Sequence, residues 1–116
     1  MDIESLRDYC LGKVQSQEGF PFGENTLVFT VKGKMFLLVS LDRLVLQFNV
    51  KCDSEKAVEL REQYASILPG YHMNKKMWNT VVVDGSIPLK LIKEMIDDSY
   101  GLVVRSLPRK EQQGLL

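Results

Sequence analysis

The chain has 116 residues, 45% of them hydrophobic, which suits one domain with a real core and excludes a disordered polypeptide. Fifteen basic and fifteen acidic residues cancel, so no whole-molecule attraction to nucleic acid or an anionic membrane exists, and any electrostatic site must be a local patch. Two cysteines and one histidine, with no CxxC pair, are too few for a closed zinc site; Cys10 and Cys52 are expected reduced and packed as small hydrophobes.

The opening MDIESLRDYC is acidic rather than basic and apolar, so it does not read as a secretory signal. The longest apolar runs, around Met35–Val39 and Leu44–Leu46, fall far short of the about 20 residues that cross a bilayer. A cytoplasmic chain with no membrane association is expected. From Asp2 to about Val14, apolar Ile3, Leu6, Cys10 and Val14 recur at helical spacing, with Asp2 as the N-cap and early acids suiting the helix dipole. Gly19-Phe20-Pro21-Phe22-Gly23 is a run of turn formers.

Three short strands follow: Thr26–Val31, Met35–Ser40 and Leu44–Val50, separated by Lys32-Gly33-Lys34 and Asp42-Arg43. Turns this tight allow only antiparallel pairing, hence a meander. Asp53 or Ser54 caps a second helix in which Ala57, Val58, Leu60, Arg61 and Tyr64 follow the helical period. Pro69-Gly70 breaks the chain, Trp78–Val83 forms a fourth strand, and Asp84-Gly85 turns it. Ser86 reads as the N-cap of a last helix with Pro88 in its first turn and Leu89, Ile92, Met95 and Ile96 on its buried face. The order α-β-β-β-α-β-α over residues 1–116, with 109–116 as a loose tail, predicts an α+β two-layer sandwich: one antiparallel sheet with helices on one face.

Catalytic chemistry is hard to assemble from these residues. A nucleophile needs a base in reach, and His72 is the sole histidine. No GxSxG elbow, HExxH helix or phosphate-cradling glycine loop occurs. Asp97 and Asp98, adjacent on a helix, point apart and cannot share an ion. No enzyme activity, cofactor or metal is expected.

The segment Pro69-Gly70-Tyr71-His72-Met73-Asn74-Lys75-Lys76-Met77-Trp78 concentrates polar and aromatic groups in a connection beside a strand, where binding functions tend to sit. Lys75 and Lys76 offer phosphate contacts, while His72, Asn74, Trp78 and Tyr100 are candidates for a pocket. Trp78 at a strand start is more often a core residue, and His72 commonly just satisfies backbone groups. Two further basic clusters are the turn bearing Lys32 and Lys34 and the stretch with Arg105, Arg109 and Lys110. Charged turns are commonly just solvated, and sequence alone does not say whether the three clusters share a face.

The run Pro69 to Val81, then Asp84-Gly85-Ser86-Ile87-Pro88, Ser99-Tyr100-Gly101-Leu102-Val103 and Leu107-Pro108, closely resembles the MmcQ/YjbR family, as do Gly33-Lys34-Met35-Phe36 and Lys51-Cys52-Asp53 upstream. That resemblance implies a frataxin-like (CyaY-like) α+β fold and a "double wing" that grips duplex DNA. It carries over to His72, Asn74, Lys75, Trp78, Asp84, Gly85, Ser99 and Tyr100; Met77 stands where members often have a second histidine. The acidic ridge that binds iron in frataxins is missing here. Two readings follow: a non-catalytic module meeting DNA phosphates through Lys32, Lys34, Lys75, Lys76, Arg105, Arg109 and Lys110, or an adaptor that binds a protein or small ligand with the Tyr71–Trp78 loop and ignores DNA.

Overall fold

A computed structural model describes residues 1–70 and 73–116. The elements run α1 (Ile3–Leu11), β1 (Ser16–Gly19), β2 (Thr26–Val31), β3 (Lys34–Ser40), β4 (Gln47–Lys51), α2 (Ser54–Gln63), β5 (Ile67–Pro69), β6 (Trp78–Val82) and α3 (Leu89–Arg105), then a 3-10 turn at Arg109–Glu111. All six strands form one antiparallel sheet in the order β1-β2-β3-β4-β6-β5. The expected two-layer α+β architecture is therefore present, with two strands more than the sequence reading supplied. Those are β1, whose SQEG sequence has no apolar alternation, and β5, three residues long and closed by Pro69.

Pleating separates the two faces of the sheet. One face carries Phe29, Leu37, Val39, Phe48, Val50, Ile67 and Val81, and all three helices pack on it, contributing Leu6 and Cys10, Ala57 and Leu60, and the α3 series Ile92, Met95, Ile96, Tyr100, Val103 and Val104. That series follows the three-and-four spacing of an amphipathic helix. Each fully buried aliphatic side chain there contributes about 1.5–3 kcal/mol. The opposite face has no helix over it; Val28, Leu38 and Trp78 form a small cluster there, with Met35, Met73 and Met77 against it.

Local chemistry sets the ends of the helices. Asp2 accepts from Ser5 N at 2.8 Å while the Ser5 hydroxyl accepts from Asp2 N, a reciprocal cap. Asp53 caps α2 by accepting from Lys56 N. Ser86 does not cap α3, contrary to the sequence reading. Its backbone N–H and hydroxyl bond Asp84, and Pro88 stands at the N-cap with no side-chain bond. Helix α1 stops at Leu11 with Gly12 as its C-cap, so Val14 lies outside it and is exposed. The third strand of the meander begins at Gln47 rather than Leu44, because Leu44 and Val45 belong to an exposed loop. Helix α3 is continuous through Ser99-Tyr100-Gly101 to Arg105. Segment 109–116 is anchored rather than loose: Leu115 is buried in the core, and Gln112 Nε2 donates to Leu107 O at 2.8 Å.

Both cysteines are free and buried. Burial pushes the Cys10 thiol up to about 12 and raises that of Cys52. Among the described residues, no helix is long and apolar enough to cross a membrane, and no three His, Cys, Asp or Glu residues are grouped to hold a metal ion.

Candidate functional site

Strand register decides which loops share an end of the sheet. Val31 faces Lys34, Leu37 faces Val50, Lys51 faces Trp78 and Pro69 faces Asn79. The Lys32-Gly33-Lys34 turn, Lys51 and the loop residues 73–77 therefore lie together at one end. At the other end Thr26 faces Ser40 and Gln47 faces Val82, which gathers the loops bearing Glu24, Asp42 and Asp84; Asp2 and Arg43 line a hollow of about 580 Å³ with Asp84 there. The loop charges thus separate along the strand direction into a basic pole and a largely acidic one, with Asp53 and Asp98 standing beside Arg105 at the basic end.

The basic loops are held by specific geometry. Lys32 and Gly33 both have positive φ, 51° and 80°, as a two-residue hairpin turn matched to strand twist requires. A lysine in the left-handed region is uncommon, and such outliers concentrate at functional positions. In the second loop, Asn74 Oδ1 accepts from Lys76 N at 3.0 Å and Asn74 O accepts from Met77 N at 3.1 Å. Arg61 Nη1 donates to Lys75 O at 3.3 Å and to the buried Asn79 Oδ1 at 2.7 Å, while Asn79 Nδ2 donates to Ala57 O. Met77 O accepts from Cys52 N at 2.7 Å. The loop is thereby tied both to α2 and to the end of β4.

Ser99, on α3, secures the same end from the helix side. Its fully buried hydroxyl accepts from Lys51 N at 2.8 Å and donates to Phe36 O at 2.6 Å, just beyond the last β3–β4 pair. Nearly two helical turns further on, Arg105 shares a hollow of about 220 Å³ with Cys52, Asp53, Lys56, Asp98 and Leu102. Its guanidinium lies over Gly101, where a Cβ would approach Nη1 to 3.2 Å.

Among the described residues the ion pairs are Arg7–Glu18 at 2.5 Å, Lys13–Asp97, and Lys56–Asp98 at 2.8 Å. Lys32, Lys34, Lys76 and Arg105 belong to none of them. Asp97 and Asp98 do point apart, to Lys13 and Lys56 respectively. Arg109 and Lys110 are exposed on the 3-10 turn, and among the described residues no hydrogen bond or ion pair joins them to the Lys32–Lys34 turn or to residues 73–77. At the acidic pole, hydrogen bonds from the Ser66 hydroxyl and then from Ser86 hold the Asp84 carboxyl well below its usual range, at about 2.

The pocket expected from His72, Asn74, Trp78 and Tyr100 does not form as a unit. Trp78 lies on the open face of the sheet. Tyr100 lies in the core on the helix-covered face, edge-on to Phe36 with ring centroids 5.3 Å apart, and its hydroxyl donates to Val14 O at 2.6 Å. The sheet separates the two rings. Asn74 is exposed and its side chain is spent on its own turn. His72 and Tyr71 lie outside the described residues. Sequence reasoning missed Lys51 and Arg61, because only the register reveals which lysine ends a strand beside the basic turns, and only the packing of α2 puts Arg61 under the loop.

Comparison with known proteins places this architecture. The YjbR family model matches residues 11–102. The uncharacterized protein YbdF of Escherichia coli O157:H7 is 42% identical over 94 residues, 81% of this chain and 77% of YbdF. The uncharacterized protein YjbR of Escherichia coli strain K12 is 29% identical over 116 residues, covering all of this chain and 98% of that one. Among solved structures, the Deinococcus radiodurans protein DR2400, a DUF419 domain, superposes with a TM-score of 0.92 at 39% identity over 97% of this chain and 86% of that one. A Pseudomonas syringae protein superposes with a TM-score of 0.77 at 27% identity, over 89% of this chain and 99% of that one. With the family model spanning most of its length, and the sheet and helices shared with DR2400, the chain belongs to the YjbR family.

Proposed function

We propose that this protein is a non-catalytic module that binds the phosphate backbone of double-stranded DNA with the basic pole of its sheet. The observation that carries the reading is the convergence of Lys32, Lys34, Lys51, Lys75 and Lys76 at one end, with Arg105 on the helix side of that end. The β2–β3 turn and the loop before β6 stand two to three strand spacings apart, about 10–14 Å. That brackets the about 12 Å width of a major groove, so two basic tips can meet phosphates on both of its rims. Lysine contacts of this kind position a protein on DNA without reading bases. Each phosphate neutralised steepens the salt dependence of binding by about 0.9 in log–log slope. A cytoplasmic setting, where thiols stay reduced, suits the two unpaired cysteines.

The test is charge reversal at both poles. Lys32→Glu with Lys34→Glu, and separately Lys75→Glu with Lys76→Glu, should each weaken binding to a mixed-sequence duplex by about tenfold or more and flatten its salt slope by roughly 2. Arg43→Glu, at the acidic pole, should leave affinity within about twofold of wild type, since the pole sits beyond the roughly 10 Å screening length at 0.1 M salt. Equal losses from all three variants would show that no localised basic site exists.

A further inference from the structure

The open face of the sheet carries a feature that DNA binding does not use. A groove of about 310 Å³ is lined by Phe22 from the β1–β2 connection, Thr26, Met35, Leu38, Ser40, Asn49 and Met73. That volume is at the lower end of small-molecule sites. Among the described residues, none of its lining side chains carries a formal charge. An anion or cation would therefore lose its hydration there without gaining a counter-charge.

Most of the polar groups in the groove are uncommitted among the described residues. Thr26 and Ser40 sit opposite each other across β2 and β3, and neither hydroxyl has a hydrogen-bond partner among the described residues. Asn49 Oδ1 accepts from the Thr80 hydroxyl at 2.5 Å, which orients the amide and leaves Nδ2 as a donor with no partner among the described residues. Around these three groups stand an exposed aromatic ring, Phe22, and two thioethers, Met35 and Met73. Methionine sulfur packs favourably against aromatic rings. Apolar walls with a few convergent polar groups are the general form of a ligand site.

We infer that this groove is a binding site for an uncharged planar small molecule, an aromatic or heterocyclic ring bearing a hydrogen-bonding edge. The ring packs against Phe22, Met35, Leu38 and Met73, and its polar edge meets Thr26, Ser40 and the Asn49 amide. The sole tryptophan, Trp78, packs in a cluster with Leu38, Met35 and Met73, so its fluorescence reports on occupancy.

The test titrates the full chain with benzamide, nicotinamide and indole, and with benzoate and benzylammonium as charged counterparts. Backbone amide shifts and Trp78 fluorescence are the readouts. The uncharged rings should shift the amides of Thr26, Ser40 and Asn49 saturably and change Trp78 emission, with the charged analogues about tenfold weaker or more. Phe22→Ala, at an exposed loop position, should weaken binding of the uncharged rings. Asn49→Asp keeps an acceptor for Thr80 but substitutes a charge for the donor, and should reduce benzamide binding about tenfold. The inference is overturned if the uncharged rings leave these amides unmoved, if the charged analogues bind as well, or if Asn49→Asp binds benzamide like wild type. It is equally overturned if the same resonances move with protein concentration alone, because a second copy would then cover the face.

Discussion

Replacing Ser99 by alanine tests how the helix layer holds the basic end of the sheet. The Ser99 hydroxyl is fully buried and joins two strand groups beyond the end of their ladder, accepting from Lys51 N and donating to Phe36 O. Ser99→Ala strands both backbone groups, Phe36 O buried and Lys51 N partly buried. An orphaned group costs about 1–3 kcal/mol, the partly buried Lys51 N standing near the lower end of that range, and the space vacated by one oxygen is too small to admit a bridging water. A loss of about 2–4 kcal/mol follows, which for a domain of this size lowers Tm on the order of 8–16 °C. Urea unfolding should show a lower midpoint with an unchanged m value. Ser106→Ala is the matched control: that hydroxyl bonds Val103 O at the exposed helix end, and its loss should cost about 0.5 kcal/mol or less. A Ser99→Ala protein within about 0.5 kcal/mol of wild type would refute the bridging role.

Gly70→Ala should destabilise by about 1–3 kcal/mol, because a Cβ there would come within 2.9 Å of Trp78 Cβ and 3.0 Å of Trp78 O; a neutral result in urea unfolding would contradict the close β5–β6 approach. The Asp84 carboxyl should titrate near 2 by NMR, and Ser66→Ala, which removes its largest hydrogen bond, should raise that value toward 3.8. Since the folded value is the depressed one, the stabilisation from Asp84 is complete above about pH 4 and is lost as pH falls through about 2. A thiol reagent at pH 8 should label neither Cys10 nor Cys52 in the native protein and both in guanidinium, since both thiols are buried and held protonated.

How much of this was legible in the sequence depended on whether the signal was local. The caps at Asp2 and Asp53, most of the α1 and α3 faces and the β2–β3 hairpin are written in residues a few positions apart and are found, but Val14 and Leu89, expected on those two faces, are exposed. Strand β1 is not, because Ser16-Gln17-Glu18-Gly19 is a strand only through pairing with β2; its own composition favours a turn. Strand β5 is too short to carry a period. Leu44 and Val45 look like strand residues, yet the β3–β4 loop leaves them in solvent. The candidate site shows the same division. The basic clusters are plain in the sequence, but only the register shows that Lys32, Lys34 and Lys51 end beside Lys75 and Lys76. Trp78 and Tyr100 look like partners, yet the pleat turns Trp78 to the open face while Tyr100 comes from α3 on the covered one.

The most direct test of the central claim is fluorescence anisotropy of a labelled mixed-sequence duplex titrated with this protein across a salt series. Contact with three to five phosphates at the basic pole predicts micromolar affinity near 0.15 M salt and a log–log slope of roughly −3 to −4.5. A flat or undetectable response from 0.05 to 0.2 M salt, the range over which phosphate contacts change affinity most visibly, would contradict DNA binding by the basic pole.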